Sequence, residues 1–159
     1  MFFWHSPPCS KLPTRANADL DVGREHHGVH QADFGFLTVC KAKISIVDDD
    51  KFVLKALEHL IGSLGYEVNV FLSAEDFLMS DRAQDTSCLV TDLQMPGMTG
   101  IELQKRLVAN GHHLPIIFMS GVSDEEIRVG LLKAGAIGFL TKPVDMVCLI
   151  DLLNKVLEG

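Results

Sequence analysis

The chain has no CxxC pair: its four cysteines (Cys9, Cys40, Cys88 and Cys148) are scattered through 159 residues. They read as reduced, mostly structural thiols of a cytoplasmic protein rather than a disulfide framework. The start, Met1-Phe2-Phe3-Trp4-His5-Ser6-Pro7-Pro8, lacks a basic n-region and its apolar run stops after three residues, so no secretory signal is expected. No apolar run approaches the roughly 20 residues that cross a bilayer, so no membrane association is expected. Basic residues are outnumbered, 14 Lys and Arg against 21 Asp and Glu, giving a formal charge of −7. That balance argues against nucleic acid as a direct partner, because phosphate backbones need clustered Lys and Arg. Internal repeats and low-complexity tracts are also missing.

What is present fits one soluble globular domain: 47% hydrophobic and 22% charged residues are ordinary values for such a protein. Charge divides the chain unevenly. Residues 1–41 hold four basic and four acidic residues, three of the six prolines and four of the seven histidines, with no period of 2 or 3.6. This segment is expected to be a disordered lead-in, too poor in clustered aliphatics to offset its ordering entropy. A bacterial alternative start at Leu37 or Val39 is a second reading of the same boundary, since Met does not recur before Met79. Residues 42–159 carry 10 basic and 17 acidic residues, hence the whole net charge, and form the expected domain.

From residue 43 the pattern is regular. Lys43–Val47 is β-branched and ends in acid, a buried strand by composition. Val53, Leu57, Leu60, Ile61 and Leu64 line one face of a helix that Gly65 stops. Strands are expected at Tyr66–Phe71, Ser87–Thr91, Leu114–Met119 and Ala136–Thr141. Helices are expected from a Ser73 cap through Met79, over Ile101–Ala109, from Ser123/Asp124 to about Lys133, and over Asp145–Leu157. Five β and five α segments in alternation demand a parallel sheet with helices on both faces, a doubly wound α/β fold.

In such sheets ligands sit at the carboxyl edge of the strands. Asp48 and Asp49 follow the first strand, Asp92 the third, Ser120 the fourth and Lys142 the fifth. Three crowded carboxylates repel one another, and a hard divalent cation with oxygen ligands is the natural compensation. Magnesium suits the site: it uses few carboxylates and keeps waters for exchange with a phosphate oxygen. Lys142 and Ser120 complete a pocket for a tetrahedral anion, with Asp92 the best nucleophile and Asp48 and Asp49 better placed as metal ligands.

Val47-Asp48-Asp49-Asp50, Thr91-Asp92-Leu93-Gln94-Met95-Pro96-Gly97-Met98-Thr99-Gly100, Met119-Ser120-Gly121 and Leu140-Thr141-Lys142-Pro143 together resemble the receiver domain of two-component response regulators. The wording is similar to that of receivers from nitrogen-fixation and LuxR-type regulators, and the resemblance spans about 43–157. It implies a flavodoxin-like (βα)5 three-layer sandwich with parallel strand order 2-1-3-4-5. It implies that Asp92 accepts a phosphoryl group from a phosphohistidine on a sensor histidine kinase or phosphotransfer protein. Asp48, Asp49, Asp92 and the backbone carbonyl of Gln94 would hold Mg²⁺, and Lys142 would pair with the phosphoryl oxygens. Ser120 would turn inward, followed by Phe139 as the switch aromatic, and the Lys142–Pro143 bond would be cis. The fourth helix, fifth strand and fifth helix would present the surface read by a downstream protein target or used in homodimerisation.

Plainer readings compete. Asp48-Asp49-Asp50 suits a helix N-terminus, with Asp50 as the cap, Asp92 suits a turn before Pro96-Gly97, and Lys142 suits a solvated loop. Ser120 suits a strand-end hydroxyl and Phe139 a core aromatic. His26-His27 with His30 mimics a metal pair but has no cysteine or helix pattern nearby. His112-His113 reads as an exposed turn, His59 as surface, and Cys88 and Cys148 as small buried hydrophobes. The leading function is a stand-alone, non-enzymatic phosphoacceptor switch without an effector domain. A Mg²⁺-dependent aspartyl-phosphate phosphohydrolase would want an acid where Gln94 stands. The third reading is the receiver half of a longer DNA-binding regulator.

Overall fold

The expected lead-in, residues 1–41, falls among residues 1–40 except for Lys41, which is exposed and in no helix or strand. Cys9, Cys40 and the His26-His27-His30 group also fall among residues 1–40. Those 1–40 residues lie outside residues 41–159, which the computed structural model describes. Alternation organises those residues from the start. Strands β1 (Lys43–Val47), β2 (Glu67–Phe71), β3 (Cys88–Asp92), β4 (Ile116–Ser120) and β5 (Gly138–Thr141) take turns with α1 (Lys51–Ser63), α2 (Ala74–Met79), α3 (Gly100–Ala109), α4 (Glu125–Lys133) and α5 (Met146–Leu157). All four strand pairings are parallel, in the order β2-β1-β3-β4-β5. The doubly wound sheet with order 2-1-3-4-5 is therefore observed as expected. A short 3-10 turn at Arg82–Gln84 lies between α2 and β3, where the sequence pattern predicts no element.

Period-2 alternation within the central strands builds two separate cores. Ile44 and Ile46, Cys88 and Val90, and Ile117 and Met119 face Leu54, Leu57 and Ile61 of α1 and Leu149 and Leu153 of α5. Leu89 and Phe118 face the other way, against Phe77 of α2, Leu103 and Leu107 of α3 and Leu131 of α4. Each fully buried Leu, Ile or Phe contributes roughly 1.5–3 kcal/mol by leaving water. Three layers follow from the sequence period alone.

Each of the α-helices α1 to α5 is capped by a side-chain oxygen: Asp50, Ser73, Thr99, Asp124 and Asp145 each accept a backbone N–H of the first turn. Thr99 does so within a capping box shared with Glu102. Such caps are worth about 1 kcal/mol each. Strands β2 to β5 start one or two residues inside the expected bounds, β4 at Ile116 rather than Leu114 because Pro115 has no N–H to donate to a ladder. Strands β3 and β4 run one residue further than expected and so include Asp92 and Ser120.

Cys148 corrects an expectation. Cys88 is buried, but Cys148 is exposed, because α5 turns Leu149 and Leu153 into the core and leaves the preceding position outside. His59 and His113 are exposed and His112 is half-buried at the α3–β4 connection. Among the described residues no helix is long and apolar enough to cross a membrane.

Candidate functional site

Register brings the polar residues to one edge. Val47 pairs with Thr91, so Asp48 and Asp92 emerge side by side from β1 and β3. Asp48, Asp92 and Lys142 each stand two residues beyond an apolar residue of the α1/α5 core, namely Ile46, Val90 and Leu140. The pleat therefore sends all three toward the same face. Main-chain bonds prolong the ladder: Asp48 N–H donates to the Phe71 carbonyl at 3.1 Å and Lys142 N–H to the Ser120 carbonyl at 2.7 Å. The Lys142–Pro143 bond is cis.

The side chains converge. Lys142 Nζ donates to Asp48 Oδ2 at 2.7 Å and stands 3.4 Å from Asp92 Oδ1. Ligand oxygens of Asp48, Asp49 and Asp92 lie within 4.8 Å of one another. Asp48 is fully buried and Asp92 nearly so, while Asp49 is exposed at the mouth. Asp50 answers the capping reading by itself: its Oδ1 accepts the Phe52 N–H at 2.8 Å, which leaves Asp48 and Asp49 for other work. Asp48 Oδ1 accepts from Asp50 N–H at 2.9 Å.

Electrostatics mark Asp92 as the residue under tension. Burial raises its pKa above the ordinary carboxylate value; Lys142 pulls it back and Asp48 pushes it further up. At Lys142 burial works against the charge, yet the hydrogen bond to Asp48 and the charges of Asp48 and Asp92 hold the ammonium above its usual pKa. A donor set of three carboxylates with no sulfur or imidazole fits a hard cation such as Mg²⁺.

The remaining expected residues lie around this centre. Ser120 is buried, and its Oγ accepts the Val122 N–H at 3.1 Å, so its hydrogen bond runs to its own loop. Phe139 is half-buried in the opposite core, beside its ladder partner Phe118. Gln94 follows Asp92 by two residues with its side chain exposed.

A family description, response regulator receiver domain, matches residues 44–154. The chain belongs to the response regulator receiver family. Among similar proteins, the receiver is 46% identical over 100 residues to response regulator protein TmoT of Ectopseudomonas mendocina, covering 63% of this chain and 46% of the relative. It is 40% identical over 107 residues to transcriptional regulatory protein FixJ of Azorhizobium caulinodans, covering 67% and 51%. The chain thus spans about half the length of these curated relatives. Among solved structures, response regulator StyR superposes with a TM-score of 0.69 at 42% identity, covering 74% of this chain and 60% of that one. FixJ-N superposes at 0.66 with 35% identity, covering 75% and 95%. Receivers are signalling proteins.

Three residues that shape the receiver site escaped sequence reasoning. Thr91 Oγ1 donates to the Asp92 carbonyl at 3.1 Å. Gly100 packs directly against that same carbonyl, where a Cβ would collide with it. Glu75, on α2, accepts the Met98 N–H at 2.9 Å across 23 residues. Only the Thr99-x-x-Glu102 spacing beside this loop was a readable signal.

Proposed function

We propose that this receiver is a phosphoacceptor switch in which Asp92 takes a phosphoryl group from a histidine of a sensor kinase or phosphotransfer protein. The observation that supports this most is the meeting of three carboxylates from two strands with the ammonium of Lys142. Mg²⁺ is the proposed cofactor, held by Asp48, Asp49, Asp92 and the main-chain carbonyl of Gln94. When bound, it neutralises charge on the group being transferred. The chain's own residues supply nucleophile, alignment and readout.

A carboxylate oxygen of Asp92 attacks phosphorus while the P–N bond of phosphohistidine breaks. The bonding pair leaves with the imidazole, and an acyl phosphate remains on Asp92. Lys142 then pairs with phosphoryl oxygens. Ser120 exchanges its bond to Val122 for one to phosphate, and Phe139 follows it inward. The new group adds about −1.5 to −2 charge at neutral pH. An interaction of about 1–3 kcal/mol made in only one conformation shifts populations roughly 5–150-fold. The surface altered is that of α4, β5 and α5, read in the cytoplasm by a downstream protein or a second copy of the chain. Gln94 is an amide rather than a carboxylic acid and cannot protonate a leaving group as a general acid, which favours a switch over a turnover phosphohydrolase.

Incubation with labelled acetyl phosphate and Mg²⁺, followed by hydroxylamine, tests this reading. Label that hydroxylamine removes is the expected result, as for an acyl phosphate. No label, or label that resists hydroxylamine, contradicts it.

A further inference from the structure

The connection between β3 and α3 carries Gln94, and it is tied at both ends. Leu93 N–H donates to the Met119 carbonyl at 2.8 Å, and Gly100 N–H donates back to the Leu93 carbonyl at 3.0 Å. In between, besides the capping box by which Thr99 N–H donates to Glu102 of α3 at 2.8 Å, a tie comes from an element outside β3 and α3. Met98 N–H donates to Oε1 of Glu75 at 2.9 Å. Next to it, Gly97 adopts φ +78°, and a Cβ there would stand 2.8 Å from the same oxygen. Loop and carboxylate are fitted to each other.

Glu75 is also a firm post. Its neighbours Ala74 and Phe77 are fully buried, and Phe77 meets Phe71 of β2 edge-on with ring centroids 5.2 Å apart. An acid in the first turn of a helix has an ordinary explanation, attraction to the N-terminal amides. That explanation needs no contact with a loop 23 residues away. Met95 and Met98 are buried on either side of Gly97, so a displacement at Met98 would carry the loop with it.

We propose that Glu75 is a positioning residue for the metal site: by holding Met98 it fixes the 93–99 loop and so aims the Gln94 carbonyl. This rests on the Mg²⁺-dependent phosphoacceptor reading above. Outer partners of metal ligands typically change affinity 10–100-fold when removed.

Two substitutions separate this role from the helix-terminus role. Glu75→Asp keeps the negative charge in the first helical turn but is one methylene too short to reach Met98. Glu75→Gln keeps the reach and a carbonyl acceptor but loses the charge. Mg²⁺ alone is titrated into the full chain while thermal unfolding is followed, and acetyl phosphate labelling is measured across the same concentrations. Glu75→Asp is expected to raise the half-saturating Mg²⁺ roughly tenfold, with labelling at saturating Mg²⁺ unchanged. Glu75→Gln is expected to stay within about threefold of wild type, the acceptor being weaker but present. Gly97→Ala presses on the same oxygen from the loop side, leaves α2 untouched, and is expected to raise the midpoint as Glu75→Asp does. The reverse order, with Gln impaired and Asp normal, assigns Glu75 to the helix terminus and overturns the proposal, as do equal midpoints in all the proteins. A wild-type chain without any Mg²⁺ response overturns the phosphoacceptor reading itself.

Discussion

Lys142 and Asp48 are 94 residues apart along the chain, and their side chains meet at 2.7 Å. The carboxylate is fully buried, the ammonium partly open to water. Removing one partner of such a pair leaves an uncompensated charge in a poorly solvated place. Lys142→Met is therefore expected to lower stability by about 2 kcal/mol in EDTA, measured by urea unfolding at neutral pH. Added Mg²⁺ is expected to restore more stability to this variant than to wild type. Unchanged unfolding in EDTA would mean that water, not lysine, compensates Asp48.

Asp92 carries a raised pKa, from burial first and from Asp48 besides, despite the pull of Lys142. For an acid shifted upward, the stability it contributes is fully present below the unfolded-state pKa. That stability is lost as pH rises through the higher folded-state pKa. At pH 7 the ionised carboxylate is thus a burden on the metal-free fold. Asp92→Asn is expected to raise the melting temperature in EDTA at pH 7 by roughly 2–5 °C. The gain is expected to shrink toward zero on acidification below the ordinary carboxylate pKa. A gain that grows on acidification would contradict the sign of the shift.

Two helical glycines are expected to respond oppositely to the same change. Gly130 in α4 has open space where a Cβ would go, so Gly130→Ala is expected to stabilise by about 0.5–1 kcal/mol through helix propensity. Gly100 begins α3 against the Asp92 carbonyl, where a Cβ meets rigid backbone. Gly100→Ala is expected to destabilise by about 1–3 kcal/mol and to impair phosphoryl acceptance, because relief requires moving the strand end that bears Asp92. Denaturant midpoints of the two variants check both signs.

Cysteine chemistry offers an independent check on the layers. Burial pushes the Cys88 thiol up to about 12, whereas Cys148 is exposed on α5. Brief alkylation of the native protein at pH 8, read by peptide mass, is expected to modify Cys148 and spare Cys88. Modification of Cys88 at the same rate would place β3 at a surface.

Much of this arrangement is legible in the sequence, and the reason is periodicity. Strands of four or five aliphatic residues and helices with apolar faces alternate clearly, and the alternation forces the parallel sheet. Once strand ends share an edge, Asp48, Asp92 and Lys142 have to meet. Cys148 was misplaced because α5 is apolar nearly throughout its first half, so composition there hides which positions face inward. Arg82–Gln84 makes a turn too short to show a period. Glu75 looked like any acid at a helix start, since its partner is an amide two elements away and no local pattern records such a contact. Ser120 was recognisable as a strand-end hydroxyl, but its bond to Val122 depends on the loop's conformation, which the sequence does not encode one residue at a time.

The most direct test of the whole account is the intact mass of the protein after acetyl phosphate treatment, for wild type with Mg²⁺, wild type with EDTA, and Asp92→Asn with Mg²⁺. The account predicts a gain of one phosphoryl group in the first sample alone, mapped to Asp92. Equal labelling of Asp92→Asn, or labelling of wild type that ignores EDTA, would contradict it.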